Sequence, residues 1–414
     1  MSSLLITNIK ELLTLRGVSK KQGVRPQEKD LGIIKNAALL IHGKKIVWIG
    51  KNGRGIPKAD QVINAKGAVV FPGFVDPHTH LIFAGSRHSE FAWRCAGETY
   101  LNIVKKEGGI FNSVKATHLS SEKELFSLGM KRLKKASSFG ITTLEVKSGY
   151  GLLPADEYKC LNVISRLQQA SPLRIVRTFL GAHAFPPEFK KRPQGFVDLL
   201  CEKMIPEVSQ RKLAEFCDVF IDEGFFTLTQ TRYILTAAKK YNLKIRIHAD
   251  EFKSLGGTEL AVSLGALSVD HLMAVNPKGI KALAASHTVA TLLPGTSFFL
   301  GKPYAPARKL VDAGVVVALG TDFNPGTCPT QNLPLMATIA ATQMKMTLPE
   351  VIAAITYNAA KSLGLHHEIG SIEIGKSADL AFFNIPSYAY LPYHFGDNDC
   401  TSVIIKGIAA FDDR

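Results

Sequence analysis

Between residues 72 and 368 the chain alternates short apolar, β-branched runs with longer stretches whose apolar residues recur at spacings of three and four. The first pattern suits strands buried on both faces, the second amphipathic helices, so the repeat predicts βα units around a parallel sheet. The runs are FPGFVDPHTH, ITTLEVKSGY, RIVRTFLGAH, CDVFIDEGFF, KIRIHADE, ALSVDHL, VATLLPG and VVVALGTDFN. Between them lie segments such as SEKELFSLGMKRLKKASSFG and TRYILTAAKKYN. Eight strands, each with a helix, predict an α/β fold of the (β/α)8 TIM-barrel type. The stretch from Arg87 to about Ser120 is a long insertion after the first strand, expected to shape a pocket.

The two ends have a different texture. Residues 1–71 read as short, Gly-punctuated strands, as in LLITNIKELLT, AALLIHGKKIVWIG and QVINAKGAVVFPG. Residues 369–414 return to it with GSIEIGKSADLAFFN and TSVIIKGIAAF. The expectation is one small β-domain, a β-sandwich completed by both ends, with the barrel of residues 72–368 inserted between them.

Composition adds exclusions. With 414 residues, 46% of them hydrophobic and 21% charged, the chain can bury a sizeable core. No apolar run approaches the roughly 18 residues of a membrane span. The opening MSSLLITNIKELLTLRG has no basic head followed by an apolar segment and cleavage site. A soluble cytoplasmic protein is expected. The 6 cysteines are scattered without a CxxC pair, which fits reduced thiols, with Cys160, Cys201 and Cys217 as buried structural ones. A net charge of +15 raises the question of nucleic acid. The basic residues, however, fall in dispersed clusters (SKKQ, KKEGG, KRLKK, KKRPQ, AAKKYN) without interleaved aromatics. They read as solvated helix faces and argue against a nucleic-acid partner, while leaving a field that favours an anionic substrate.

The chemistry lies where the strands end. His78 and His80, Tyr150, His183, His248 with Glu251, His271, and Asp322 each close one of the runs. In such barrels the C-terminal strand ends form the active-site face. One such histidine alone is more often a satisfied structural residue. Several converging from separate strands are not, because buried polar groups without partners cost free energy. Residues i and i+2 of a strand face the same side, so His78 and His80 can bind one ion. His248 offers a third nitrogen and Asp322 a carboxylate oxygen. That set suits one divalent metal ion, Zn2+ or Fe2+, and does not separate the two. Such an ion lowers the pKa of a bound water toward neutrality. Asp322 can touch that water, Glu251 can shuttle protons, and His271 can polarise a substrate carbonyl or hold the water. The competing reading of Glu251 is a capping or surface role in ADEFKS.

The HxH after strand one, His248 and His271 after strands five and six, and Asp322 after strand eight resemble the amidohydrolase superfamily. GSIEIGKSADLAFFN resembles that superfamily's return into its small β-domain. The longer motifs PHTHLIFAGSRHSEFAWRCAGETY, TTLEVKSGYGL, TFLGAHAFPPEF, IHADEF, VDHL and GTDFNPGTCPT resemble one branch of it, over nearly the whole chain. That branch acts in histidine degradation. The resemblance implies hydrolysis of 4-imidazolone-5-propionate to N-formimidoyl-L-glutamate, with Glu251 protonating the departing ring nitrogen, and it suggests a homodimer. It also implies that Arg87, Tyr150, His183, Glu251, Asn324, Gly326 and Thr327 bind substrate. Arg87 can grip the propionate with its planar fork. Their bland alternatives are a surface Arg, a packing Tyr and a Pro-Gly turn. KKEGGI departs from the branch at Glu107, where a third glycine is expected.

Rival readings remain. A deaminase of cytosine, guanine or a related ring uses similar positions, and Arg87 with EVKSGYG favours the propionate. Two-metal enzymes need a carboxylated lysine at strand four, where VFIDEG has none, and Lys147 belongs to strand two. A non-catalytic scaffold predicts broken ligands, yet all four are present.

Overall fold

The computed structural model describes residues 2–98 and 108–412. Glu107 therefore lies outside the described residues. The eight apolar runs fold as Phe74–Asp76, Ile141–Lys147, Arg174–Ala182, Phe216–Val219, Lys244–Ala249, Ser268–His271, Val289–Leu292 and Val317–Leu319. They form one 8-stranded sheet in sequence order, every neighbouring pair parallel. The sheet closes just beyond its end strands. Asp322 N donates to His78 O at 3.0 Å, and His80 N donates to Phe323 O at 2.9 Å. Behind this seam the Asp76 carboxylate accepts from Thr321 N at 3.0 Å and Thr321 Oγ1 at 2.6 Å.

Helices between the strands start where the sequence supplies caps. Ser121 accepts from Glu124 N while the Glu124 side chain reaches back, opening Glu122–Ser138; Thr227 and Gln230 do the same for Leu228–Lys240. Each turns an apolar stripe inward, Leu125, Leu133 and Ala136 on the first and Ile234, Leu235 and Ala238 on the second.

The chain ends build a second 8-stranded sheet. Val69–Pro72 pairs antiparallel with Leu380–Phe383, which joins the N-terminal strands to Cys400–Ile405 and Ile408–Asp412. Ile6, Ile9, Leu39, Val70, Leu380 and Phe382 form its core. Phe71 and Phe383 face the other way and pack with Phe74 of the first barrel strand, ring centroids 5.3–5.6 Å apart. The strand alternation of VVFP thus ties this sheet to the barrel.

Cys160, Cys201, Cys217, Cys328 and Cys400 are buried and Cys95 is exposed, all as free thiols. Among the described residues no helix is long and apolar enough to cross a membrane.

Candidate active site

His78 and His80 sit just past the first strand rather than within it, since Asp76 is the strand's last residue. Their common direction survives because Thr79 between them turns toward the second strand, where its hydroxyl donates to Glu145 O at 2.6 Å. Both histidines then meet the eighth strand's end: His78 Nε2 and His80 Nε2 each lie 3.5 Å from Asp322 Oδ1. The His248 ring comes within 4.5 Å of the His78 ring, centroid to centroid, and 5.2 Å of the His271 ring.

His78 Nε2, His80 Nδ1, His248 Nε2 and His271 Nδ1 are buried without a hydrogen-bond partner. Buried polar atoms are otherwise paired, so a cluster of orphaned imidazole nitrogens beside a carboxylate is the signature of a cation site. Two triads bring ligand atoms within 4.8 Å of one another, His78/His80/Asp322 and His78/His248/His271, and they share His78. The donor chemistry fits a divalent metal ion.

A layer of buried charge holds these rings from behind. His78 Nδ1 lies 2.6 Å from Asp270 Oδ2, and His248 Nδ1 lies 3.1 Å from Asp218 Oδ1. Lys147 Nζ donates to Asp218 and Glu145, both at 2.8 Å, and Arg246 donates to Asp270 at 2.9 Å. Burial alone would raise the two carboxyls. His248 and Lys147 beside Asp218, and Arg246 and Lys147 beside Asp270, outweigh it and keep both below the usual carboxylate range. With a carboxylate accepting from Nδ1–H, each ring keeps its hydrogen there and is fixed with its Nε2 lone pair toward the centre.

The other acids behave differently. Burial pushes the Asp322 carboxyl up to about 6, even though Thr296 Oγ1 donates to its Oδ2 at 2.5 Å. Burial, reinforced by Asp322 and Asp222, holds the Glu251 carboxyl well above the usual carboxylate range. Its Oε2 faces His271 Nδ1 at 3.6 Å. The capping reading of Glu251 finds no support, since the next helix begins at Gly257. His271 (φ 80°) and Asp322 (φ 54°) both hold left-handed backbone, a strained choice for a non-glycine residue and one that clusters at functional sites.

The site opens into a cavity of about 610 Å³. Tyr150 and His183 form one wall, the His183 ring stacked at 5.2 Å on His80 and the Tyr150 ring edge-on to His183 at 5.4 Å. Arg87 lies in the same cavity, with Nη2 2.8 Å from Glu90 Oε2. Glu90 Oε1 also accepts from Gly109 N at 3.0 Å, tying both halves of the insertion to this arginine. Asn324 Oδ1 accepts from Gly326 N at 2.8 Å and Thr327 N at 2.7 Å, so the NPGT turn is built by its own side chain. The turn and site readings hold together there, because Asn324, Gly326 and Thr327 all line the cavity.

The model of the amidohydrolase family matches residues 69–409. The chain belongs to the amidohydrolase family. Among amidohydrolases it is similar to imidazolonepropionases. It shares 46% identity over 409 residues with that of Alkaliphilus oremlandii, covering 97% of this chain and 96% of the relative. With that of Geobacillus kaustophilus the identity is 45% over 419 residues, covering 100% and 99%. An amidohydrolase of this group is a hydrolase acting on a small molecule. Among solved structures, Escherichia coli guanine deaminase matches with a TM-score of 0.78 at 16% identity over 100% of both chains. An adenosine deaminase from Xanthomonas campestris with bound zinc matches with a TM-score of 0.73 at 16% identity, covering 99% and 93%. At that identity the likeness to the deaminases is one of fold alone.

Every strand-end residue singled out from the sequence of this amidohydrolase reaches the cavity or the histidine and carboxylate cluster at its floor. The sequence reading passed over Glu145, Asp218, Arg246 and Asp270, and it treated Lys147 only as a lysine on the wrong strand for a second metal. A signal for them existed. Each is a charged residue inside a run too apolar to leave it solvated, and such a residue needs a partner.

Proposed function

We propose that the chain hydrolyses the ring amide of 4-imidazolone-5-propionate to N-formimidoyl-L-glutamate. His78, His80, His248 and Asp322 would hold one divalent ion, Zn2+ or Fe2+. The observation that carries this reading is the company kept in one site: the buried His78, His80 and His248 rings with Asp322, Glu251 with its carboxyl held well above the usual range, and the Arg87 guanidinium. When bound, such an ion acts as a Lewis acid and makes water a nucleophile at neutral pH.

The protein's own groups divide the remaining work. Water adds to the ring carbonyl carbon and the bond from that carbon to the ring nitrogen breaks. As the water adds, Asp322 takes one of its protons, and the Glu251 proton passes to the departing nitrogen. The carbonyl carbon leaves as a carboxyl group whose proton restores Glu251, and Asp322 releases its proton to solvent with the carboxylate product. His271, beside Glu251, polarises the carbonyl oxygen. Arg87 pairs with the propionate, and its bond to Glu90 fixes the direction of its fork. Tyr150 and His183 flank the ring, and the Asn324–Thr327 turn supplies polar contacts. The reading includes a cytoplasmic, homodimeric enzyme with no nucleic-acid partner, and the division 1–71, 72–368 and 369–414.

The test is incubation with imidazolone propionate while following loss of ring absorbance. Turnover should vanish after chelation and return with Zn2+ or Fe2+. No loss of absorbance, together with release of ammonia from a nucleobase, would replace this reading with that of a deaminase.

A further inference from the structure

The Tyr150–His183 wall is held by a buried carboxylate that no step above uses. Glu157 lies in the first turn of the helix Pro154–Ala170 and is wholly buried. Its Oε1 accepts three backbone N–H groups from the loop after the second strand: Gly149 at 2.9 Å, Gly151 at 2.8 Å and Leu152 at 2.9 Å. Successive N–H groups turned into one concavity form an anion-binding nest, and here the protein fills it with its own carboxylate. The loop needs that anchor, because Gly149 (φ 111°) and Leu152 (φ 60°) are both left-handed. A Cβ on Gly149 would stand 3.0 Å from His183 Nδ1.

The same loop fixes a proton. Gly149 O lies 2.9 Å from His183 Nδ1, and a carbonyl only accepts, so Nδ1 carries hydrogen and Nε2 is left as an acceptor. We propose that Glu157 is a positioning residue for substrate. By filling the nest it sets both the Tyr150 ring and the His183 tautomer, and so presents an acceptor nitrogen to a ring N–H. This rests on the reading of Tyr150 and His183 as the substrate wall.

Glu157→Gln keeps an acceptor oxygen but loses its charge, and the uncharged bonds are weaker. It should raise KM about threefold with kcat and metal content little changed, whereas Glu157→Ala should raise KM about tenfold. Histidine 15N NMR of the metal-loaded protein should show His183 losing its single Nδ1–H form in the Ala variant. If Glu157→Ala does not fold, the Gln variant decides by the same two readouts. An unchanged KM with an unchanged His183 signal overturns the proposal. Tyr150→Phe and His183→Gln run in parallel: unchanged KM in both overturns the substrate wall itself, and the tautomer signal still decides whether Glu157 sets His183.

Discussion

His78 Nδ1 and Asp270 Oδ2 lie 2.6 Å apart with both side chains wholly buried, and Arg246 grips the same carboxylate oxygen at 2.9 Å. The ring's proton, and hence the direction of its free nitrogen, is therefore decided by a residue of the sixth strand, although His78 itself follows the first. Asp270→Asn substitutes a group that can donate where the ring must donate. Metal affinity in a chelator competition should fall by about 10–100-fold. A change under about twofold would show that Asp270 does not orient the ligand.

Lys147 bridges Glu145 and Asp218 in the barrel interior, all three wholly buried. Lys147→Met removes the cation and leaves two wholly buried carboxylates without it. Breaking a buried pair in this way costs about 3–5 kcal/mol. Urea denaturation of the metal-free protein should show that loss; a midpoint like that of the parent chain would deny the bridge any structural weight.

Glu251 is the acid whose carboxyl burial, Asp322 and Asp222 hold well above the usual range. Glu251→Gln keeps the shape and removes the transferable proton. Turnover should drop by at least about 100-fold while metal content stays that of the parent. Near-normal kcat would take the proton transfer away from this residue.

Arg87 and Gly326 test the carboxylate clamp from two sides. Arg87→Ala should raise KM by roughly tenfold or more with a smaller effect on kcat. A Cβ at Gly326 would fall 2.0 Å from Arg87 Nη1, so Gly326→Ala forces the guanidinium to swing aside. Its KM should rise by roughly threefold to tenfold, short of the Arg87→Ala value. If KM is unmoved by both changes, the propionate is bound elsewhere.

The eight barrel strands were legible because each is a short apolar run, six of them closed by the polar residues named above, and a barrel collects such ends on one face. That is why His78, His80, His248, His271 and Asp322 could be placed together without coordinates. Asp218 and Asp270 were not legible as site residues, because their partners lie on other strands and the sequence does not record which strands face each other. Asp270 in VDHL is overshadowed by its neighbour His271, yet the carboxylate reaches across to His78. Glu157 looked like an ordinary first-turn acid of a helix. Only the folded loop gives it three N–H groups to bind. The positive φ of His271 and Asp322 was likewise not legible, since Asp and His tolerate left-handed backbone better than most residues but do not adopt it by default.

The barrel closes where Asp322 N meets His78 O, and the side chains of those same two residues bring a carboxylate oxygen and an imidazole nitrogen within 3.5 Å of each other in the proposed metal site. An ion held there is a stitch across the seam between the first strand and the last, roughly 240 residues apart along the chain. Ion loading should therefore resist unfolding most strongly at the very place where the barrel must finish folding. In this architecture a chain that has not closed has no complete ligand set, so competence to react is coupled to completion of the fold.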